Sequence, residues 1–347
     1  MTVASYAALL RIDERPLATV HGDFRLHRFR NLATQRMALA AVLGDVSGRE
    51  PLLARVHSSC VTSETYGACD CDCAEQLAIA VAEIGCRGRG VIFYLMQEGR
   101  GAGFAAKARD RMLVQASGHR LTTFEAYEQM GLGRDHRHYD EVEAICRLLD
   151  IRAPLRLLSN NPDKIAALAA EGIEIESVQR MEHEATPFNV HYIAAKRRCG
   201  HRLGAGEGTP RAAELPEPVA AFEPYALAEL PHVVHMAAYL LPVRFGAAEP
   251  CWFRLHAYLD TESGSGHVIL DHRRRRDLPP LACVQREALE DRFALREPSA
   301  LRLRWRDAVA RIAARGTGSV LFEDDQAAAR TPGPTGLDLL ARHAAVQ

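Results

Sequence analysis

The pentapeptide CDCDC at residues 69–73 constrains this chain more than any other feature of it. Thiols packed so closely cannot form an ordinary disulfide framework, because a bridge needs Cα atoms about 4.4–6.8 Å apart and converging Cβ vectors. With Cys60 upstream, the spacing becomes Cys, ten residues, Cys, one residue, Cys through Cys60, Cys71 and Cys73. Thiolate is a preferred ligand of Zn²⁺, and three thiolates leave a fourth position for water, as in catalytic zinc sites. In an extended segment Cys69, Cys71 and Cys73 point to one side, so a closed four-cysteine structural site stands beside the open three-ligand one. Cys86, Cys146, Cys199, Cys251 and Cys283 are isolated and read as packing residues or inert thiols.

A chain of 347 residues, 48% apolar and 25% charged, has soluble-globular composition and length for two cores. Its 43 basic residues are balanced by 44 acidic ones, which excludes a bulk field for nucleic acid or an anionic membrane. No run approaches the ~18 apolar residues of a membrane span, and the N-terminus lacks a signal-peptide pattern, so a cytoplasmic protein is expected. Residues 22–58 carry three strand-like runs, GDFRLHRFR, MALAAVLGD and PLLARVHS. DCAEQLAIAVAEIG then changes to helical spacing through Leu77, Val81 and Ile84, and the strand VIFYLM follows at 91–96. Helices near 102–116 and 140–149, strand RLLS, a helix after Pro162, strand IEIESV and a helix ending near Arg198 continue the alternation. That alternation predicts a layered α/β domain.

LGAGEGTPRAAELPEP at 203–218 has no apolar period and predicts a linker. Beyond it RFGAAEPCWFRLHAYLD echoes VHGDFRLHRFRNLA, and PPLACVQREALEDRFAL parallels EPLLARVHSSCVTSETYGA. RDAVARIAARGTGSVLFEDDQ in turn parallels EQLAIAVAEIGCRGRGVIFYLMQ, with Gly316 and Gly318 opposite Gly88 and Gly90. Ala288 stands where Cys60 would be, and the CDC tripeptide has no counterpart among Arg296 to Arg304. The expected division is a catalytic domain at 1–204, a linker at 205–219 and a degenerate, zinc-free repeat at 220–347.

QEGRGAGF at 97–104 follows VIFYLM, at the carboxyl end of a strand, where open α/β sheets bind ligands. Its glycines allow close backbone approach, and Arg100 and Arg109 suit phosphate oxygens. SNNPDK at 159–164 reads as strand end, turn and helix start, presenting backbone N–H groups and Lys164 to an anion. GLGRDHRHYD at 131–140 holds Asp135 and Arg137 in one polar loop. Taken singly, each of these is an ordinary turn or charged loop.

In order, RVHSSC, CDCAEQL, QEGRGAG, TTFEAYEQMGLGRDHRHY and LLSNNPDKI resemble GTP cyclohydrolase II across roughly residues 20–203. The resemblance implies a three-layer, mixed-sheet α/β catalytic domain, followed here by the smaller degenerate α/β copy. It implies Zn²⁺ on Cys60, Cys71 and Cys73, with Cys69 as an extra. Nucleotide contacts carry over to Arg55, Val56, His57, Ser58 and Ser59, to Gln76, to Glu98, Gly99 and Arg100, and to Thr123, Ser159 and Lys164. Gln76 and Glu98 would read guanine edges, since an amide and a carboxylate together match its donors and acceptors. Asp135 matches the family's proton acceptor and Arg137 its proposed nucleophile. A guanidinium pKa above about 12 makes a purely electrostatic role for Arg137 the rival reading.

The implied reaction adds a metal-activated water to C8 of GTP, opens the imidazole ring to a formamide, and releases formate in a second hydrolysis. Cleavage between the α and β phosphates gives pyrophosphate, with Mg²⁺ neutralising phosphate charge. The diaminopyrimidinone ribosylamino phosphate produced feeds riboflavin. The chain departs from the family pattern at Asp70 and Ala74, where Arg and Gly flank the CDC, and at Ser59, where Glu is usual. Phe124 and Tyr127 alter another motif, and Arg111 or Met112 stands where a tyrosine is usual. Should that tyrosine serve the second hydrolysis, the reaction stops at the formamide. A paralogue acting on another purine nucleotide in secondary metabolism and a non-catalytic nucleotide-binding regulator are the alternatives. The family's dimeric habit predicts a homodimer, or an internal pseudo-dimer in which the copy packs on the catalytic half.

Overall fold

The computed structural model describes residues 8–204, 209–244, 249–274, 277, 281–287, 300–324 and 338–341. Strands β1 (Leu9–Thr19), β2 (Gly22–Asn31), β3 (Met37–Leu43), β4 (Leu52–Ser58), β5 (Gly90–Leu95), β6 (Leu155–Leu158) and β7 (Ile175–Gln179) form one sheet. Their order is β1-β2-β3-β5-β4-β6-β7. The helices of this half are α1 (Val61–Glu64), α2 (Cys73–Arg87), α3 (Phe104–Ala116), α4 (Thr123–Gln129), α5 (Asp140–Leu148), α6 (Pro162–Ala170) and α7 (Val190–Arg198). A second sheet contains β8 (Tyr225–Leu227), β9 (Leu230–Val243), β10 (Cys251–Asp260), β11 (Gly266–Arg273), β12 (Leu281–Glu287) and β13 (Thr317–Asp324), with α8 (Ala300–Arg315).

The first sheet is mixed, with β4 running parallel to β5 and β6 and the β1-β2-β3-β5 pairs antiparallel. Every residue of β5 is buried, because apolar layers cover both faces. Val142, Ile145 and Leu168 of α5 and α6 pack on one face, and Leu77, Ala80, Val81 and Ile84 of α2 pack on the other. This is the layered α/β arrangement the alternation predicts, with the three layers the resemblance implies. Burying each such leucine or isoleucine contributes about 1.5–3 kcal/mol. Helix α2 ends at Gly88, whose φ of 65° is the left-handed cap that glycine adopts without strain.

β1, α1 and α4, and in the second half β8 and β9, lie outside the sequence reading. β1 is an edge strand with only Leu9 and Leu17 buried, so its sequence lacks a clean period of two. α4 is short, and its one mark is a capping box between Thr122 and Glu125.

The second sheet has the order β12-β13-β11-β10-β9-β8. Its first five strands repeat the order and polarity of β4-β5-β3-β2-β1, with β12 parallel to β13 and the rest antiparallel. The register repeats too. Arg25, Val42, Val91 and Ala54 form a row across the first sheet, and Arg254, Asp271, Ser319 and Ala282 form the same row across the second. A Cβ on Gly90 would meet the Leu53 carbonyl at 2.7 Å and Ile84 Cγ1 at 2.9 Å, and one on Gly318 would meet the Leu281 carbonyl at 2.7 Å and Ile312 Cγ1 at 2.8 Å. In both places a helix crosses so near the parallel pair that only glycine fits. Ala288, residues 296–299 and the linker residues 205–208 lie outside the described residues. Among the described residues no helix is long and apolar enough to cross a membrane.

The acidic first turn of α5 carries a test of stability. Glu141 is buried beside Arg36, whose Nε lies 3.1 Å from Oε1. Burial pushes its carboxyl up to about 7, against the pull of the Arg36 guanidinium. A carboxyl raised in the fold stabilises fully below the unfolded value of about 4.3 and loses that contribution as pH rises through about 7. Glu141→Gln is expected to match the parent's melting temperature at pH 5 and exceed it at pH 8. Equal melting temperatures at both pH values would contradict this.

Candidate active site

The site forms where β4 and β5 end. β4 runs buried between two parallel neighbours, so its alternation sends Arg55 and His57 to one side and Val56 to the other. Arg55 donates to the Leu158 carbonyl at 2.9 Å and to Gln76 Oε1 at 2.6 Å, and burial pulls its pKa down to about 10. Gln76 Nε2 donates on to Asp72 Oδ2 at 2.6 Å. Asp72, between two cysteines of the cluster, also meets Lys196 and His183. His57 Nε2 lies 2.7 Å from Glu64 Oε1, and the Tyr94 hydroxyl donates to Glu64 Oε2 at 2.5 Å. Burial pushes Glu64 well up and His57 well down, so both groups favour their neutral forms.

The chain turns directly from β4 to Cys60, which precedes α1, while Cys71 and Cys73 stand at the start of α2. The ligand atoms of these three cysteines all lie within 4.8 Å of one another, and the Sγ atoms of Cys60 and Cys71 are 3.7 Å apart. Tetrahedral zinc with S at about 2.3 Å requires S···S edges of ~3.8 Å, so the cluster fits that ion. Contacts with Cys71 and Cys73, and then the Lys107 ammonium 3.1 Å from Cys60 Sγ, hold the Cys60 thiol well below its ordinary range. Cys69 does not join the set. Its thiol donates to the Pro242 carbonyl at 3.3 Å, and burial pushes its pKa up to about 12.

Beside the cluster lies a cavity of about 210 Å³ into which Cys73 opens. Of the residues singled out in the sequence, it gathers Arg55, His57, Ser58, Gln76, Arg100, Asp135, Arg137, Ser159 and Lys164. Arg100 reaches it from a left-handed backbone, φ 55°, with its guanidinium 3.7 Å above the Phe124 ring. Lys164 enters from α6, whose N-terminus is set by the Asn161 cap and by Pro162, and donates to the Val56 carbonyl at 2.8 Å. Arg137 Nε donates to both oxygens of Asp135, at 2.8 and 3.0 Å. Burial opposes ionisation of Asp135, but the Arg137 bonds and charge hold its carboxyl below the usual range. Arg137 is held protonated by the same pair, against burial, which favours its electrostatic reading over a nucleophilic one.

Other residues stand elsewhere. Glu98 turns from the cavity, accepting from the Val61 and Gly99 N–H groups at 2.7 and 3.1 Å and from Lys107 at 2.7 Å, so it does not meet Gln76. Gly99 accepts from the Tyr127 hydroxyl, and Thr123 donates to Asp110. Val56 packs in the core, and Ser59 is buried and does not line the cavity, its N–H donating to the Leu95 carbonyl. Arg109, expected at phosphate, instead donates to the Phe222 and Met236 carbonyls, because its face of α3 turns toward the second sheet. The cavity also holds Asn160, Tyr192, Lys196 and His201, for which sequence reasoning found no role. The basic last turn of α7 was the available signal for Lys196. Asp70 and Arg111, two departures from the family pattern, meet each other with Nε 3.5 Å from Oδ2.

Fold and site together define an α/β enzyme built round a three-cysteine cluster and a cationic pocket at its strand ends. The family model of GTP cyclohydrolase II matches residues 10–182. The GTP cyclohydrolase-2 of Teredinibacter turnerae is 38% identical over 199 residues, covering 56% of this chain and 97% of that protein. The riboflavin biosynthesis protein RibBA of Chlorobium phaeovibrioides is 40% identical over 200 residues, covering 57% of this chain and 48% of that one. A crystal structure of RibBX, a two-domain 3,4-dihydroxy-2-butanone 4-phosphate synthase from A. baumannii, superposes with TM-score 0.29 at 20% identity over 51% of this chain and 41% of that one. The chain belongs to the GTP cyclohydrolase II family, and it is a hydrolase.

Proposed function

We propose that this chain opens the guanine imidazole ring of GTP by hydrolysis, releasing formate and pyrophosphate, with Zn²⁺ on Cys60, Cys71 and Cys73. The supporting observation is the placement of Cys73, which belongs both to the thiol cluster and to the wall of the cationic cavity. Zinc, when bound, supplies a Lewis acid that activates water at neutral pH. Arg55, Arg100, Arg137 and Lys164 give the cavity its positive charge, matched to a triphosphate carrying Mg²⁺. Gln76, held between Arg55 and Asp72, presents an amide in a fixed orientation at the cavity wall. Asp135 lines the cavity, where its carboxyl is placed to accept a proton, while Arg137 orients it and stabilises phosphate charge.

Residues 220–347 are a degenerate copy of the catalytic half, joined by a linker at 205–219; the repeated strand order, register and glycine crossings support this reading. A second reading of the chemistry is favoured at the usual tyrosine position, where Arg111 or Met112 stands: Arg111 is committed to Asp70 and to the Tyr192 ring 4.7 Å away, and Met112 is buried in the core. On that reading the product keeps its formyl group. Zinc- and magnesium-supplied protein with GTP is expected to yield formate and pyrophosphate, measured by enzymatic formate assay and product mass. A formamide product without formate would select the second reading, and no turnover would sink both.

A further inference from the structure

The segment leading into Cys71 and Cys73 is held from two sides. On the catalytic side Asp72 is fixed by Lys196, His183 and Gln76. On the other side, residues 67–69 add a short antiparallel stretch to the second sheet. The Cys69 N–H donates to the Pro242 carbonyl at 3.0 Å, the Arg244 N–H donates to the Gly67 carbonyl at 3.0 Å, and Ala68 bridges Val243. This edge of β9 is open because β8 pairs only with its beginning, as far as His235. Gly67 has φ 73°, and a Cβ there would lie 2.9 Å from the Arg244 carbonyl oxygen, so the approach requires glycine. Nearby, the Gln115 amide exchanges both of its bonds with the Leu240 backbone, at 2.7 and 2.8 Å.

We propose that the second sheet is a working part of the metal centre: β9 clamps the loop carrying Cys71 and Cys73. The proposal rests on the reading that this cluster holds zinc. Cys71 lies two residues beyond Cys69, and each residue reaches at most about 3.6 Å, so fixing Cys69 confines Cys71. Metal sites need ligands held within about 0.5 Å, which a loop with unmade backbone bonds does not provide. The zinc-free copy therefore acts on the metal without touching it.

The test uses the full chain and follows zinc release to a chromogenic chelator. The Arg244 side chain is exposed, so Arg244→Ala keeps the N–H that bonds Gly67, and Arg244→Pro deletes it. Arg244→Pro is expected to release zinc roughly tenfold faster than either the parent or Arg244→Ala, the factor by which an affinity change of one decade appears in the off-rate. Should Arg244→Pro fail to fold, Gln115→Leu loosens the same seam without touching the loop and is expected to shift release in the same direction. Release from Arg244→Pro, or from its replacement, at the parent's rate would overturn the clamp. A parent protein that takes up no zinc would instead remove the metal reading.

Discussion

Cys71→Ser is expected to lose bound zinc and at least about 1,000-fold in turnover, since a Lewis acid contributes several kcal/mol and each 1.36 kcal/mol is tenfold in rate. Cys71 is fully buried, and among the described residues Cys60, Cys71 and Cys73 are the group that could hold a metal ion. A serine hydroxyl there loses its proton far less readily than a thiol, and its oxygen is a harder ligand than thiolate sulfur. Cys69→Ser is the matched control. Its hydroxyl still donates to the Pro242 carbonyl, so zinc content and turnover are expected to stay at the parent's level. Metal analysis of both variants beside a formate assay decides the ligand set. Zinc and turnover surviving in Cys71→Ser, or vanishing in Cys69→Ser, would refute the three-cysteine assignment.

That control shows where the sequence was sufficient and where it was not. The Cys60, Cys71 and Cys73 spacing pointed to a metal cluster, but only the path of the backbone shows that Cys69 faces β9. β2 and α2 were readable because one buried face imposes a regular period, and β3 to β5 because they are short, continuous apolar runs bounded by turn residues. The turn after β5 has no such period. Gly99, Arg100 and Gly101 take φ values of 58°, 55° and 85°, which sends Arg100 into the cavity and leaves Glu98 facing Lys107. A list of contacts carried over by spacing cannot register that reversal. α3 misled for another reason. It packs on β9 and β10 of the second sheet, so Arg109 and Gln115 are polar residues on an inward face, satisfied by carbonyls of that sheet. Asp70 and Arg111 likewise looked like separate departures while they were separate letters, and they are one ion pair in space.

Lys164→Met is expected to raise the KM for GTP by roughly 100-fold while making the free protein more stable, a pair of opposite effects that few substitutions combine. The Lys164 ammonium bonds the Val56 carbonyl and, among the described residues, has no carboxylate at ion-pair distance. Burial, and then the Arg55 and Arg137 charges, hold its pKa well below the usual lysine range. A cation depressed in the fold binds fewer protons there than in the unfolded chain. The parent's stability must therefore rise with pH between that lowered pKa and the unfolded value of about 10.4. Methionine removes the penalty at every pH, so its advantage is expected to be larger at pH 7 than at pH 10. The same uncompensated charge is what a triphosphate can satisfy. Losing one partner of a buried charge pair costs about 2–5 kcal/mol, which spans roughly 30-fold to several thousand-fold in affinity. Thermal unfolding with and without GTP separates the two effects, because bound ligand raises the parent's melting temperature and should hardly move the variant's. A variant that is less stable than the parent and keeps its KM would make Lys164 a pin for the Val56 carbonyl, with no part in nucleotide binding.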